Sequence, residues 1–242
     1  PMDIITINVL LEALNNRQQM QQILVSEKKN DKKIQQIKGQ CRRLNIPVKT
    51  VPQIVIDRKA GKDNQGIFAQ TSPIRFFDTD HLIANRKTDL ILILDKINDT
   101  GNLGAIIRSA AAADIDGIII PKHGSAPINE TVLKASAGGL LKVKIVQATN
   151  LNSEIEKLKK NGYWIASTVM DGDTPYHEYD FSYKTAIIMG NEHSGVSALL
   201  NKNADYRLSI PISSQIESLN VSVASAIILF EALRQKIQIP KA

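Results

Sequence analysis

Six apolar runs alternating with helical patterns across residues 89–242 predict an α/β fold on a parallel sheet, with a smaller α/β unit ahead of it. Charge supports that division. The chain has 30 Lys and Arg against 24 Asp and Glu, a net +6. Residues 1–72 hold 12 and 6 of these, whereas residues 73–242 hold 18 of each, so all the excess positive charge lies in the first third. A polar stretch at 73–88, with Pro73, Phe76 and Phe77, reads as the linker. At 43% hydrophobic and 22% charged, the composition is that of a globular protein and excludes disordered or collagen-like chains. No apolar run approaches the ~18–20 residues of a membrane span. The first residues show neither a signal nor a transit pattern, so a cytoplasmic protein is expected.

In the first unit, Ile4–Leu14 opens the chain and Ile23–Val25 is a short strand. Asn30 or Asp31 is placed to cap a helix whose apolar residues Ile34, Ile37, Cys41 and Leu44 recur at helical spacing. That spacing puts Cys41 in a core, and a single cysteine excludes a disulfide framework or a multi-cysteine zinc site. Pro47 begins an extended stretch through Val51, and Gly66–Ala69 is a second strand. Lys28, Lys29, Lys32, Lys33, Lys38, Arg42 and Arg43 place seven cations in 16 residues, a pattern that tracks phosphates or forms a wet helix face.

In the second unit the strands are Leu90–Leu94, Gly117–Ile120, Val143–Val146, Tyr163–Ser167, Ala186–Met189 and Tyr206–Ile210. Helices are expected over Leu103–Ala113, Glu130–Ala137, Glu154–Lys160 and Leu219–Gln235, with Ser153 and Glu156 as a capping box for the third. Ligands of such sheets bind at the carboxyl ends of strands, which directs attention to the following loops. The loop Asp95–Asn102 leads into a helix that Asn102 is placed to cap, with Arg108 in its second turn, where a cation can face an anion at the helix start. The loop Gly190–Gly195 carries Glu192, and Gly190 would let a ligand approach the backbone. The loop 211–218 is polar and precedes a strongly apolar helix, which Ser218 or Asn220 is placed to cap. A Gly-x-Ser-x-Gly hydrolase is excluded because Glu192 stands where that motif needs glycine. His193 has no metal-spaced partner among His81, His123 and His177.

Together the three loops resemble the SpoU (TrmH) family of RNA ribose 2′-O-methyltransferases of the SPOUT class. The first motif looks like Asn102-Leu-Gly-Ala-Ile-Ile-Arg108-Ser-Ala, the second like Ile188-Met-Gly190-Asn-Glu192-His-Ser-Gly195-Val. The third looks like Ile210-Pro-Ile followed by Ser218-Leu219-Asn220-Val-Ser-Val-Ala. Order and spacing over residues 89–236 match the family. Ala226 departs from it, standing where many members have glycine, a matter of helix packing. More loosely, Asn8–Leu14 and Asn64–Ala69 resemble the opening and closing phrases of the L30e-like substrate domain of the family's rRNA-modifying members.

The resemblance implies residues 1–72 as an L30e-like RNA-binding domain, 73–88 as linker and 89–242 as catalytic domain with a C-terminal deep trefoil knot. It implies S-adenosylmethionine, held by Gly190, Ile210 and Leu219, and a homodimer with sites near its interface. RNA would meet Lys28, Lys29, Lys32 and Lys33. Arg108 would clamp a phosphate; guanidinium is not normally deprotonated, so the 2′-OH proton would pass to phosphate or water. Glu192 would orient Arg108 or its neighbours, and Asn102, Ser218 and Asn220 would supply short hydrogen bonds; no metal is needed. Ribosomal RNA is the expected substrate. The alternatives are a tRNA ribose methyltransferase and an RNA-binding protein without catalysis.

Overall fold

The computed structural model describes residues 2–238. The first unit runs β1 (Met2–Ile4), α1 (Ile7–Asn15), β2 (Met20–Ser26), α2 (Lys32–Arg43), β3 (Val48–Val51), α3 (Gln53–Ala60) and β4 (Ile67–Thr71). Its four strands lie in the order β1-β4-β2-β3, with only β2 and β3 parallel. Asp31 caps α2, its carboxylate accepting from the backbone N–H groups of Lys33 and Ile34. Cys41 is buried in the core as the spacing predicts, and burial pushes its thiol up to about 11.

The second unit continues β5 (Phe76–Phe77), α4 (Thr79–Ala84), β6 (Leu90–Leu94), α5 (Thr100–Ala112), β7 (Gly117–Pro121), α6 (Glu130–Ala135) and β8 (Ile145–Ala148). It ends with α7 (Leu151–Lys160), β9 (Trp164–Thr168), β10 (Thr174–Pro175), β11 (Thr185–Met189), α8 (Ala198–Lys202), β12 (Tyr206–Ser209) and α9 (Val221–Gln238). Eight strands form one sheet in the order β10-β12-β9-β11-β6-β7-β8-β5, every pair parallel. The alternation within a continuously apolar strand explains the layers. Leu90, Leu92 and Leu94 of β6 face the core shared with α5, α6 and α9, while Ile91 and Ile93 face the one shared with α4, α7 and α8.

Segment 73–88 is built into this sheet. Phe76 and Phe77 pair with Ile145 and Val146 at its edge, Phe77 stacks on His81 at 4.7 Å, and Asp78 caps α4. Buried Asp116 fixes the end of the segment by accepting from the backbone N–H groups of Lys87, Thr88 and Leu90 at 2.5, 3.0 and 3.1 Å. The two units also share one continuous hydrophobic core. At their junction Lys142 pairs with Glu12 at 2.8 Å, and Glu130 accepts from the Asp3 N–H at 3.2 Å.

Two expected caps are corrected. Asn150, not Ser153, caps α7, its side chain accepting from the N–H groups of Asn152 and Ser153; the helix begins three residues earlier than the capping box implied. Asp99, not Asn102, caps α5, accepting from the Asn102 N–H at 2.7 Å. A carboxylate at this position also suits the positive end of the helix dipole. Arg108 therefore lies in the third turn of α5 rather than the second.

Candidate active site

The loops after β9, β11 and β12 converge on a cleft of about 880 Å³ at the carboxyl end of the sheet. Thr168–Met170 form one wall and Met189–Val196 another. The third is made by Ile210, Ile212, Glu217, Ser218, Leu219, Val221 and Ala224. The volume suits a cofactor-sized ligand, and the site is where open parallel sheets bind theirs.

The middle wall is a tight hairpin. Asn191 and Gly195 exchange both backbone hydrogen bonds, at 3.0 and 2.9 Å, and Gly195 takes a left-handed φ of +64°. The Asn191 side chain accepts from the His193 N–H at 2.9 Å and donates to the Lys96 carbonyl at 2.9 Å. Buried Asp95 accepts from the Ser197 N–H at 2.7 Å, tying the end of β6 to the start of α8. In sequence Asp95 and Asn191 are marked only by position: Asp95 directly follows the apolar strand β6, and Asn191 lies two residues past β11.

Freed from capping, the Asn102 side chain joins the three loops. Its Nδ2 donates to Glu192 Oε1, and its Oδ1 accepts from Asn220 Nδ2 at 3.0 Å. Asn220 also caps α9 through its Oδ1, which accepts from the Ser222 N–H at 2.9 Å. One residue thus serves as helix cap and as site residue. Gly190, Glu192, Ile210, Ser218 and Leu219 line the cleft directly. Asn102 and Asn220 reach it through Glu192. Arg108 is exposed on α5, lies outside the cleft lining and touches neither carboxylate there by hydrogen bond or ion pair among the described residues.

The reason for glycine at 190 differs from the expected one. A Cβ there would meet the Gly195 carbonyl carbon and the Val196 nitrogen at 2.1 Å. The chain's own backbone, rather than a ligand, makes the close approach.

Lys28, Lys29, Lys32 and Lys33 are all exposed at the β2–α2 turn. Lys32 and Lys33 are the first two residues of α2, so two cations sit at the already positive helix end. This arrangement does not favour the helix but concentrates positive potential at one corner, suited to an anionic partner. Among the described residues, no helix is long and apolar enough to cross a membrane, and no cluster of three His, Cys, Asp or Glu could hold a metal ion.

The model of the SpoU rRNA Methylase family matches residues 89–230. A second model, described as RNA 2′-O ribose methyltransferase substrate binding, matches residues 7–77. A Staphylococcus saprophyticus relative, assigned by name to the TrmH family of tRNA/rRNA methyltransferases, is 34% identical over 229 residues, covering 93% of this chain and 92% of its own. The crystal structure of the SpoU methyltransferase AviRb from Streptomyces viridochromogenes with AdoMet has the same fold, with a TM-score of 0.82 at 22% identity over 97% of this chain and 90% of that one. The A. aeolicus TrmH/SpoU tRNA modifying enzyme matches with a TM-score of 0.58 at 30% identity, over 66% of this chain and 83% of its own.

Proposed function

The chain belongs to the SpoU rRNA methylase family of RNA methyltransferases, and from that premise we propose that it methylates a ribose 2′-OH of large-subunit ribosomal RNA in the cytoplasm, using S-adenosylmethionine. The observation that carries this reading is the cleft itself. Gly190, Ile210 and Leu219 line it together, and the hydrogen-bonded chain Asn220–Asn102–Glu192 links its rim to α5 and α9. Its apolar walls and two carboxylates, with no Lys or Arg lining it among the described residues, fit a cationic nucleoside cofactor. The deep trefoil knot expected for residues 89–242 belongs to this reading, and the convergence of the loops at 168–170, 189–196 and 210–224 on one cleft supports it.

When bound, the cofactor supplies an electrophilic methyl group on a sulfonium. The residues here align the ribose oxygen with it, a contribution from positioning. Asn102 holds the Glu192 carboxylate in place and Asn220 holds Asn102, so the three loops keep a fixed spacing. Ser218 offers a hydroxyl at the cleft wall. Arg108 grips the neighbouring phosphate with its planar fork, and the 2′-OH proton leaves to that phosphate or to water.

Arg108 works across a homodimer in this account. Val223, Phe230 and Ile237 expose an apolar line along α9, at 48%, 47% and 72% exposure, and α9 packs on the Arg108-bearing helix α5. A second copy docked on that face would bring its Arg108 to a cleft that has no Lys or Arg in its lining among the described residues.

Residues 1–72 capture the RNA and residues 89–242 transfer the methyl group, with 73–88 joining them. Because the units share a core, the electrostatic role of the first is best tested without deleting it. Neutralising Lys28, Lys29, Lys32 and Lys33 to Gln is expected to flatten the log–log salt dependence of RNA binding by about 3 units, at about 0.7–0.9 per phosphate contact. An unchanged slope would make the cluster a solvated surface. Ribosomal RNA is preferred to tRNA because the substrate-binding match extends over residues 7–77. Incubation with methyl-labelled S-adenosylmethionine should label deproteinised large-subunit rRNA; label confined to bulk tRNA would overturn that choice.

A further inference from the structure

We propose that Glu217 makes the cleft discriminate between S-adenosylmethionine and its demethylated product, S-adenosylhomocysteine, an inference that rests on the methyltransferase reading above. The two ligands share nearly all their surface and differ by one methyl group and one positive charge. Loss of the methyl turns a sulfonium into a neutral thioether. Apolar contacts with Ile210 or Leu219 recognise the shared surface alike, and burying the extra methyl group adds a factor of at most about 4, which salt does not screen. Charge is the property that separates them in a salt-dependent way.

Two carboxylates line the cleft, Glu192 and Glu217. They are not equivalent. Glu192 is committed to the Asn102 side chain. Glu217 makes no side-chain hydrogen bond or ion pair among the described residues, and no lysine or arginine of its own chain among them lines the cleft; the second copy's Arg108 is taken up by the RNA phosphate in the reading above. It stands one residue before Ser218 on the wall that also contributes Leu219. An unpaired carboxylate there favours a cationic ligand and gives the neutral product nothing in return. Transfer therefore weakens the product's hold on the site, which promotes turnover. The site is open to solvent, so the effect is that of a solvent-screened charge, a factor of about 3 to 10 in affinity.

Calorimetric titration of the full-length protein with S-adenosylmethionine and with S-adenosylhomocysteine tests this at low and high salt. Glu217→Gln is expected to lower the ratio of the two affinities about 3- to 10-fold, through weaker S-adenosylmethionine binding, with the difference shrinking as salt rises. Glu217→Asp keeps the charge and should keep the ratio within about two-fold. Equal weakening of both ligands by Glu217→Gln would show a merely structural role and overturn the proposal, as would an unchanged ratio. Wild-type protein that bound neither ligand would instead remove the methyltransferase reading, and this inference with it.

Discussion

Replacing Arg108 by alanine is expected to lower methyl transfer by about two to three orders of magnitude while S-adenosylmethionine affinity stays within about two-fold. The separation follows from where the residue sits. Arg108 is exposed in the third turn of α5, outside the cleft lining, so its own chain's cofactor cleft does not depend on its side chain. Arg108→Lys should recover only part of the activity, because a lysine keeps the charge but loses the two-pronged grip on phosphate. Subunit mixing extends the test. If Arg108 and Glu192 meet across a dimer, Arg108→Ala and Glu192→Ala chains are each inactive, yet a refolded equal mixture has an intact pair at about a quarter of its sites. An inactive mixture would confine Arg108 to its own chain. Collapse of cofactor affinity in Arg108→Ala, with RNA affinity unchanged, would reverse the assignment altogether.

Gly190→Val is the second large expected effect, and the structure changes its reason. The added Cβ would lie 2.1 Å from the Val196 nitrogen, deep inside covalently connected backbone that has no room to yield. The hairpin closed by Asn191 and Gly195 must open, which costs about 3 kcal/mol or more. For a chain of this size that is about 6–12 °C in Tm. Loss of cofactor binding should therefore be accompanied by a lower melting temperature in ligand-free protein. A variant that melted like the wild type and only bound cofactor weakly would restore the earlier picture, a ligand resting against Gly190.

The sheet was legible because its strands are buried on both faces. Runs such as Leu90–Leu94 and Ala186–Met189 have no polar alternation, and their alternation with helical stretches points to a parallel sheet covered on both sides. The elements that escaped notice are short or mixed. Residues Phe76 and Phe77 become strand only by pairing with Ile145 and Val146, a partner far along the chain. Helix α3 has one buried residue, Ile56, too few to set a period. Where several Asn, Asp and Ser stand close together, as at 99–102 and 150–153, local hydrogen-bonding capacity does not say which one caps the helix. At the site, motif order brings Asn102, Glu192, Ser218 and Asn220 to one cleft, but not Arg108 of the same chain. The bridging role of Asn102 was hidden, because it depends on Asp99 taking the cap and leaving the amide free. In sequence Glu217 is one polar loop residue among many; only the shape of the cleft distinguishes it.

The central claim is that the methyl group goes to a ribose 2′-oxygen of RNA, and alkali reads that directly. Base hydrolysis of RNA proceeds through the free 2′-OH, so a 2′-O-methyl group protects the adjacent phosphodiester. After incubation of the protein with methyl-labelled S-adenosylmethionine and large-subunit rRNA, complete alkaline hydrolysis should leave the label in resistant dinucleotides. Label released in mononucleotides would place the methyl group on a base and contradict the account.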